Sequence, residues 1–148
     1  MSKKIICNKK AFFEYTILEK YVAGIKLMGS EVKSIRKGKV SISESYCFIL
    51  NDEMYIKGMH ISEFKEAGKY FNHNPLRDKK LLLNKKEIIK LKEKTSQKGL
   101  TLIPLEIILT DTGFLKLELG LAKGKNLHDK RESIKEKDLK RELERNLQ

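Results

Sequence analysis

The residues with the types and spacing for chemistry gather near the C-terminal end of the chain. Gly120-Leu-Ala-Lys-Gly124-Lys125 has the outline of a phosphate loop, a turn whose backbone N–H groups and lysine cradle phosphate. It carries three spacers where that motif needs four, and Asn126 stands where a Ser or Thr should be. His128 and Asp129 are adjacent, but a base and the carboxylate that orients it usually meet through the fold. His128 with Lys130 leaves a ribonuclease as the one catalytic alternative. His60, His73 and His128 lie far apart, with no paired Cys or His at ligand spacing, so no metal site is expected. Cys7 and Cys47 share no metal spacing and make no disulfide framework, which points to a reduced compartment. The expectation is a protein that is not an enzyme and needs no cofactor.

Binding chemistry is better supplied. Against 20 Asp and Glu the 148 residues carry 32 Lys and Arg, a formal net charge of +12. Such a surface attracts polyanions, because each cation that meets a phosphate releases counterions. Charge alone leaves RNA, DNA and acidic membranes open. Lys69-Tyr70-Phe71 and the run from Arg77 to Lys80 set aromatic or apolar groups beside cations, where bases could stack and phosphates pair. Tyr70 and Phe71 serve either as that platform or as an anchor of their loop to the body. Met1-Ser-Lys-Lys-Ile-Ile-Cys-Asn8 has no apolar h-region, and Glu106 and Asp111 interrupt the most apolar stretch. A soluble cytoplasmic chain without a membrane partner is expected.

The elements that must position these groups read mainly as strands. Residues 1–10 are a short basic lead-in. Phe13 to Leu27 reads as extended, with Gly24 as a bend or bulge. Ser30 is placed to cap a short helix from Glu31 to Lys37 that stops at Gly38. Tyr46–Leu50 and Met54–Ile56 flank Asn51-Asp-Glu53 as a hairpin. A long loop from Ser62 to Lys80 follows. Asn84, with Glu87 three residues on, resembles a capping box for a helix that buries Ile88 and Leu91 and closes at Gly99. Thr101–Leu109 and Phe114–Ala122 are strands around Asp111-Thr-Gly113, with Pro104 marking an edge or a bulge. Leu115, Leu117, Leu119 and Leu121 alternate with polar residues as a half-buried strand does.

About six short strands, two short helices and no βαβ rhythm point to a mainly β fold, an OB-like closed or partly closed barrel with attached helices. The expected division is a barrel over 1–122 and a basic C-terminal tail over 123–148. In that tail Leu139, Leu143 and Leu147 recur every four residues, with Lys137, Arg141 and Arg145 roughly opposite. So short a lone helix is marginal in water, so the tail is expected to fold on meeting phosphate.

Four blocks then line up with one family. Asn8-Lys-Lys-Ala11, Gly29-Ser-Glu-Val-Lys-Ser-Ile-Arg-Lys-Gly-Lys39 with Ile42-Ser-Glu-Ser-Tyr46, Lys80-Leu-Leu-Leu-Asn84 with Glu87, and Ala122-Lys-Gly-Lys-Asn-Leu-His-Asp-Lys-Arg131 strongly resemble the SsrA-binding protein (small protein B) family. Gly99-Leu-Thr-Leu-Ile-Pro104 agrees with it as well. The resemblance implies an OB-like barrel that binds the tRNA-like domain of tmRNA, enters stalled 70S ribosomes as a monomer in that complex, and performs no bond chemistry. The positions matching the family's tmRNA-binding face are Asn8, Leu82 and Asn84, and Lys79 and Lys80 beside them would pair phosphates. His128 matches the residue that stacks on a decoding-centre nucleotide of small-subunit rRNA, and Asp129, Lys130 and Arg131 match the tail motif needed for tagging. The chain departs from the pattern at Val22, where the family commonly has an acidic residue. It departs again at Ser30, where many members have Trp, and at Asp78, in a loop end that is usually more basic. A general single-stranded RNA or tRNA binder on the same barrel is the alternative.

Overall fold

The computed structural model describes residues 2–125. The expectations for 126–148, including the tail helix and His128, Asp129, Lys130 and Arg131, lie outside the described residues. The chain opens with strand β1 (Lys3–Cys7), helix α1 (Lys9–Glu14), strand β2 (Tyr15–Ile25) and helix α2 (Gly29–Arg36). Strands β3 (Val40–Ser41), β4 (Tyr46–Leu50), β5 (Glu53–Lys57) and β6 (His60–Ile61) follow. After a long segment come β7 (Lys79–Leu82), α3 (Lys85–Thr95), β8 (Leu100–Leu109) and β9 (Leu115–Gly124).

Seven strands make one sheet in the order β1-β8-β4-β5-β7-β2-β9, and β9 also pairs with β8. Six strands therefore close a ring, with β1 added outside it along β8. Closure is thin where β4 meets β8 through one residue pair, Cys47 with Leu102. The result is a mainly β, OB-like, partly closed barrel, and β3 with β6 forms a separate small sheet. Strand alternation fills the interior: Ala23, Met54, Ile56, Leu81, Ile107, Leu117 and Leu119 are all buried in one cluster.

Several local expectations hold. Asn51 and Asp52 both take positive φ (52° and 60°), as a two-residue turn between right-twisted strands demands. The register of β8 shifts between Pro104 and Glu106, so Pro104 marks a bulge; β8 itself is interior, flanked by β1, β4 and β9. The irregularity in β2 lies between Ile17 and Glu19, whereas Gly24 pairs in register.

Other expectations are corrected. The basic lead-in contains β1, whose Ile6 and Cys7 pair with Ile107 and Glu106. Phe13 and Glu14 are helical, because Asn8 nucleates α1: its Oδ1 accepts the Ala11 N–H at 3.2 Å. Ser30 does not cap α2, which starts at Gly29. The carboxylate of Glu31 instead accepts the Met28 N–H at 2.8 Å, satisfying an orphan donor of the first turn. The loop expected to reach Lys80 ends earlier, since Lys79 and Lys80 belong to β7. α3 ends at Thr95, and Gly99 (φ 86°) turns the chain into β8. Among the described residues no helix is long and apolar enough to cross a membrane.

Candidate nucleic-acid interface

β7 decides which of the expected contact residues are on show. Side chains of a strand alternate between faces, so Lys79 and Leu81 point one way and Lys80 and Leu82 the other. Leu81 is buried and Leu82 is 52% exposed. Lys79 goes inward and is fully buried, its Nζ donating to the Met59 carbonyl at 2.8 Å. Burial pulls its ammonium down to about 8, with Glu31 only partly opposing that fall. Lys79 is therefore withdrawn from phosphate pairing: adjacent lysines on a strand cannot share a face.

Asn8 is withdrawn too. It is 4% exposed, and its Nδ2 donates to the Pro104 carbonyl at 2.9 Å and to Ile42 at 3.4 Å. With its Oδ1 capping α1, the whole amide is spent joining that helix to β8.

Lys80, Leu82 and Asn84 remain, spaced by two on the outer side. Lys80 donates to Glu53 at 2.9 Å, and Tyr55 donates to the other oxygen of Glu53 at 2.6 Å. Leu82 lies flat across Gly24 of β2; a Cβ added there would come within 3.3 Å of the Leu82 Cβ. The glycine is what lets Leu82 settle against the sheet and still face solvent. Asn84 is exposed and caps α3, its Oδ1 accepting the Glu87 N–H at 2.8 Å. Its Nδ2 keeps no partner among the described residues. Buried Ile88 and Leu91 hold α3 in place, and Lys94 hydrogen-bonds Glu19 of β2. That bond, with one from Tyr21, keeps Glu19 below the usual carboxylate range.

Register extends this face across three strands. Leu82 pairs with Gly24, and Gly24 pairs with Lys116 of β9. Two residues along, Val22 pairs with Glu118, and the β2–β7 register continued two residues past its last pair, beyond the end of β7, sets Asn84 level with Val22. On the other side Lys80 pairs with Tyr55, which pairs with Phe48. The Phe48 and Tyr55 rings stack 5.6 Å apart, with Tyr46 6.2 Å from Phe48. Sequence reasoning did not single out this aromatic row, although the alternation Tyr46, Phe48 and the facing Tyr55 carried the signal. The face thus offers an amide donor, exposed apolar groups at Leu82 and Val22, cations at Lys80 and Lys116, and aromatic rings. Those are the groups that meet exposed bases, sugars and phosphates.

A second structure lies behind it. Glu31 is fully buried, and Arg77 donates to it at 2.5 Å. Ser30 and His73 hydrogen-bond at 2.8 Å, and the other ring nitrogen of His73 meets the Ile61 carbonyl at 2.9 Å. These bonds tie residues 62–78 to α2. His73 is thereby occupied inside the fold. Cys47 is buried, which pushes its thiol upward and away from nucleophilic use. Among the described residues no three His, Cys, Asp or Glu groups converge on a metal position.

Comparison with known proteins agrees with this geometry. A family model described as SmpB protein matches residues 5–148. An SsrA-binding protein of Cytophaga hutchinsonii is 54% identical over 140 residues, covering 95% of this chain and 91% of that one. The SsrA-binding protein of Acaryochloris marina is 50% identical over 145 residues, covering 98% and 94%. A solved chain described as "tmRNA-SmpB: a journey to the center of the bacterial ribosome" superposes with a TM-score of 0.68 at 43% identity, covering 87% of this chain and 93% of that chain. A barrel of this topology, matched along nearly its whole length, belongs to the SmpB family.

Proposed function

We propose that this protein binds tmRNA, the SsrA RNA, through the β7–β2–β9 face and carries it to stalled ribosomes, so that they are rescued and the nascent peptide is tagged. The observation that carries the reading is the arrangement of Leu82 and Asn84. Both stand exposed on one face, an amide donor with no partner among the described residues beside an apolar side chain seated on a glycine. The names of the relatives supply the RNA, and the solved neighbour supplies the ribosome.

The chain does no bond chemistry in this reading; it positions RNA in the cytoplasm and needs no cofactor. The barrel, expected over 1–122 and carried by β9 to Gly124, grips the tRNA-like domain, and the rest of the tail expected over 123–148 enters the ribosome. There His128 stacks on small-subunit rRNA and Asp129, Lys130 and Arg131 support tagging. Removing 129–148 should leave tmRNA affinity nearly unchanged and abolish tagging on stalled ribosomes, measured with purified components. Normal tagging by the truncated chain would refute the role of the tail.

The aromatic row of Tyr46, Phe48 and Tyr55 favours a second reading, a general binder of single-stranded RNA or tRNA. Competition decides between them. Unstructured RNA or bulk tRNA that displaces tmRNA at equal concentration supports the general binder; a strong preference for the tRNA-like domain supports the first reading.

A further inference from the structure

The segment between β6 and β7 displays the two most exposed large hydrophobic side chains among the described residues, Tyr70 at 92% and Phe71 at 80%. At that exposure neither ring anchors its loop to the barrel, which removes one of the two roles the sequence left open. The backbone beneath them is nevertheless held. The Asn72 side chain accepts the Phe64 N–H at 2.9 Å and donates to the carbonyls of Phe64 at 2.7 Å and Gly68 at 3.1 Å. His73 is pinned to α2 and β6, and Arg77 to Glu31. Two adjacent rings held out in water on a braced backbone mark a surface that something covers.

Charge identifies the kind of partner. Lys69 precedes the two rings, and Lys65 lies in the 3-10 turn of the same segment. Lys33 of α2 and Lys37 just after it hold their ammonium groups 5.4 and 4.9 Å from the centre of the Phe64 ring, which Asn72 ties to the base of the rings. Of the nearby carboxylates, Glu66 already faces Lys37 at 3.6 Å and Glu31 faces Arg77, which leaves exposed Glu63 as one negative group against Lys65 and Lys69. A flat ring pair bordered by lysines suits unpaired nucleobases, which offer π faces to stack and phosphates to pair.

We propose that Tyr70 and Phe71 form a second RNA contact, a stacking platform for unpaired bases whose phosphates meet Lys69 and Lys65. It rests on the RNA-binding reading above but is a separate site. The rings belong to the segment before β7, whereas Leu82 ends that strand and Asn84 follows it as the cap of α3.

The chain has no Trp, so Phe71→Trp in the full-length protein gives a single reporter at the platform. The variant is titrated with tmRNA and, separately, with small-subunit rRNA and whole small subunits, while anisotropy of labelled RNA reports binding. Stacking predicts saturable quenching by at least one of the two RNAs, and which one quenches identifies the source of the bases. The pair Tyr70→Leu with Phe71→Leu, apolar but without rings, should weaken binding of that RNA about 5- to 100-fold. Tyr70→Phe with Phe71→Tyr should bind as the parent does. RNA binding without quenching, together with full affinity of the leucine pair, overturns the platform and leaves the RNA-binding reading standing. Blue-shifted, brighter emission on whole subunits without quenching by rRNA assigns the rings to a protein partner and also overturns it. No anisotropy change with either RNA would sink the reading and the platform together.

Discussion

The outer face of β7 and the segment 62–78 present groups to solvent by different means. On β7 the display follows from backbone register: antiparallel pairing with β2 and β5 fixes which side chains face out, and buried Leu81 seals the other side. In the segment it follows from a few polar side chains, Asn72, His73 and the Arg77–Glu31 pair. A face set by register tolerates the loss of one outer side chain. A segment set by buried polar bonds depends on each, because an abandoned buried donor or acceptor keeps its full desolvation cost.

The sharpest break in that comparison is Glu31→Ala. It leaves Arg77 without its carboxylate and the Met28 N–H without an acceptor. About 3–5 kcal/mol of stability should go in denaturant melts, with faster amide exchange over 62–78 than over β7. Exchange that rises equally in both regions would contradict the division.

The leucine pair tests the other half. Leu81→Ala should cost about 2–5 kcal/mol, since its side chain is buried in the barrel. Leu82→Ala should change stability by about 0.5 kcal/mol or less and act instead on tmRNA affinity in a binding titration. Equal stability losses would mean that the alternation does not separate the two positions.

Lys79 gives a pH signature. Its folded pKa, about 8, lies below its ordinary 10.5. Between those values the unfolded chain holds a proton that the native chain has released, so stability rises with pH across that window. Below about 8 the buried ammonium costs its full desolvation. Compared with Lys79→Met, the parent should gain stability from pH 8 to 10.5; parallel curves would place the ammonium in solvent.

These residues also mark how far sequence reasoning reaches. The Asn51-Asp52 turn, the Pro104 bulge and the Asn84 cap were legible because each is set by neighbours along the chain. β7 was not, since Lys79-Lys80-Leu81-Leu82 becomes a strand only by pairing with β2 and β5, far off in sequence. Without that strand, Lys79 and Lys80 read as equivalent cations. The burial of Asn8 was illegible for a similar reason: the resemblance marked the position, but its amide bonds to Pro104, 96 residues on, which no local pattern announces. The exposure of Tyr70 and Phe71 likewise depended on how Asn72 and His73 brace their loop.

Affinity for the tRNA-like domain of tmRNA with Asn84→Asp tests the central claim most directly. Asp caps a helix about as well as Asn, so α3 and the melting temperature should be preserved, whereas Asn84→Ala should cost about 1 kcal/mol of stability. The substitution removes the free amide donor and sets a carboxylate on the face. The account predicts weaker binding by about tenfold or more, the loss of one hydrogen bond plus repulsion from phosphate. Unchanged affinity in a stably folded Asn84→Asp protein would contradict it.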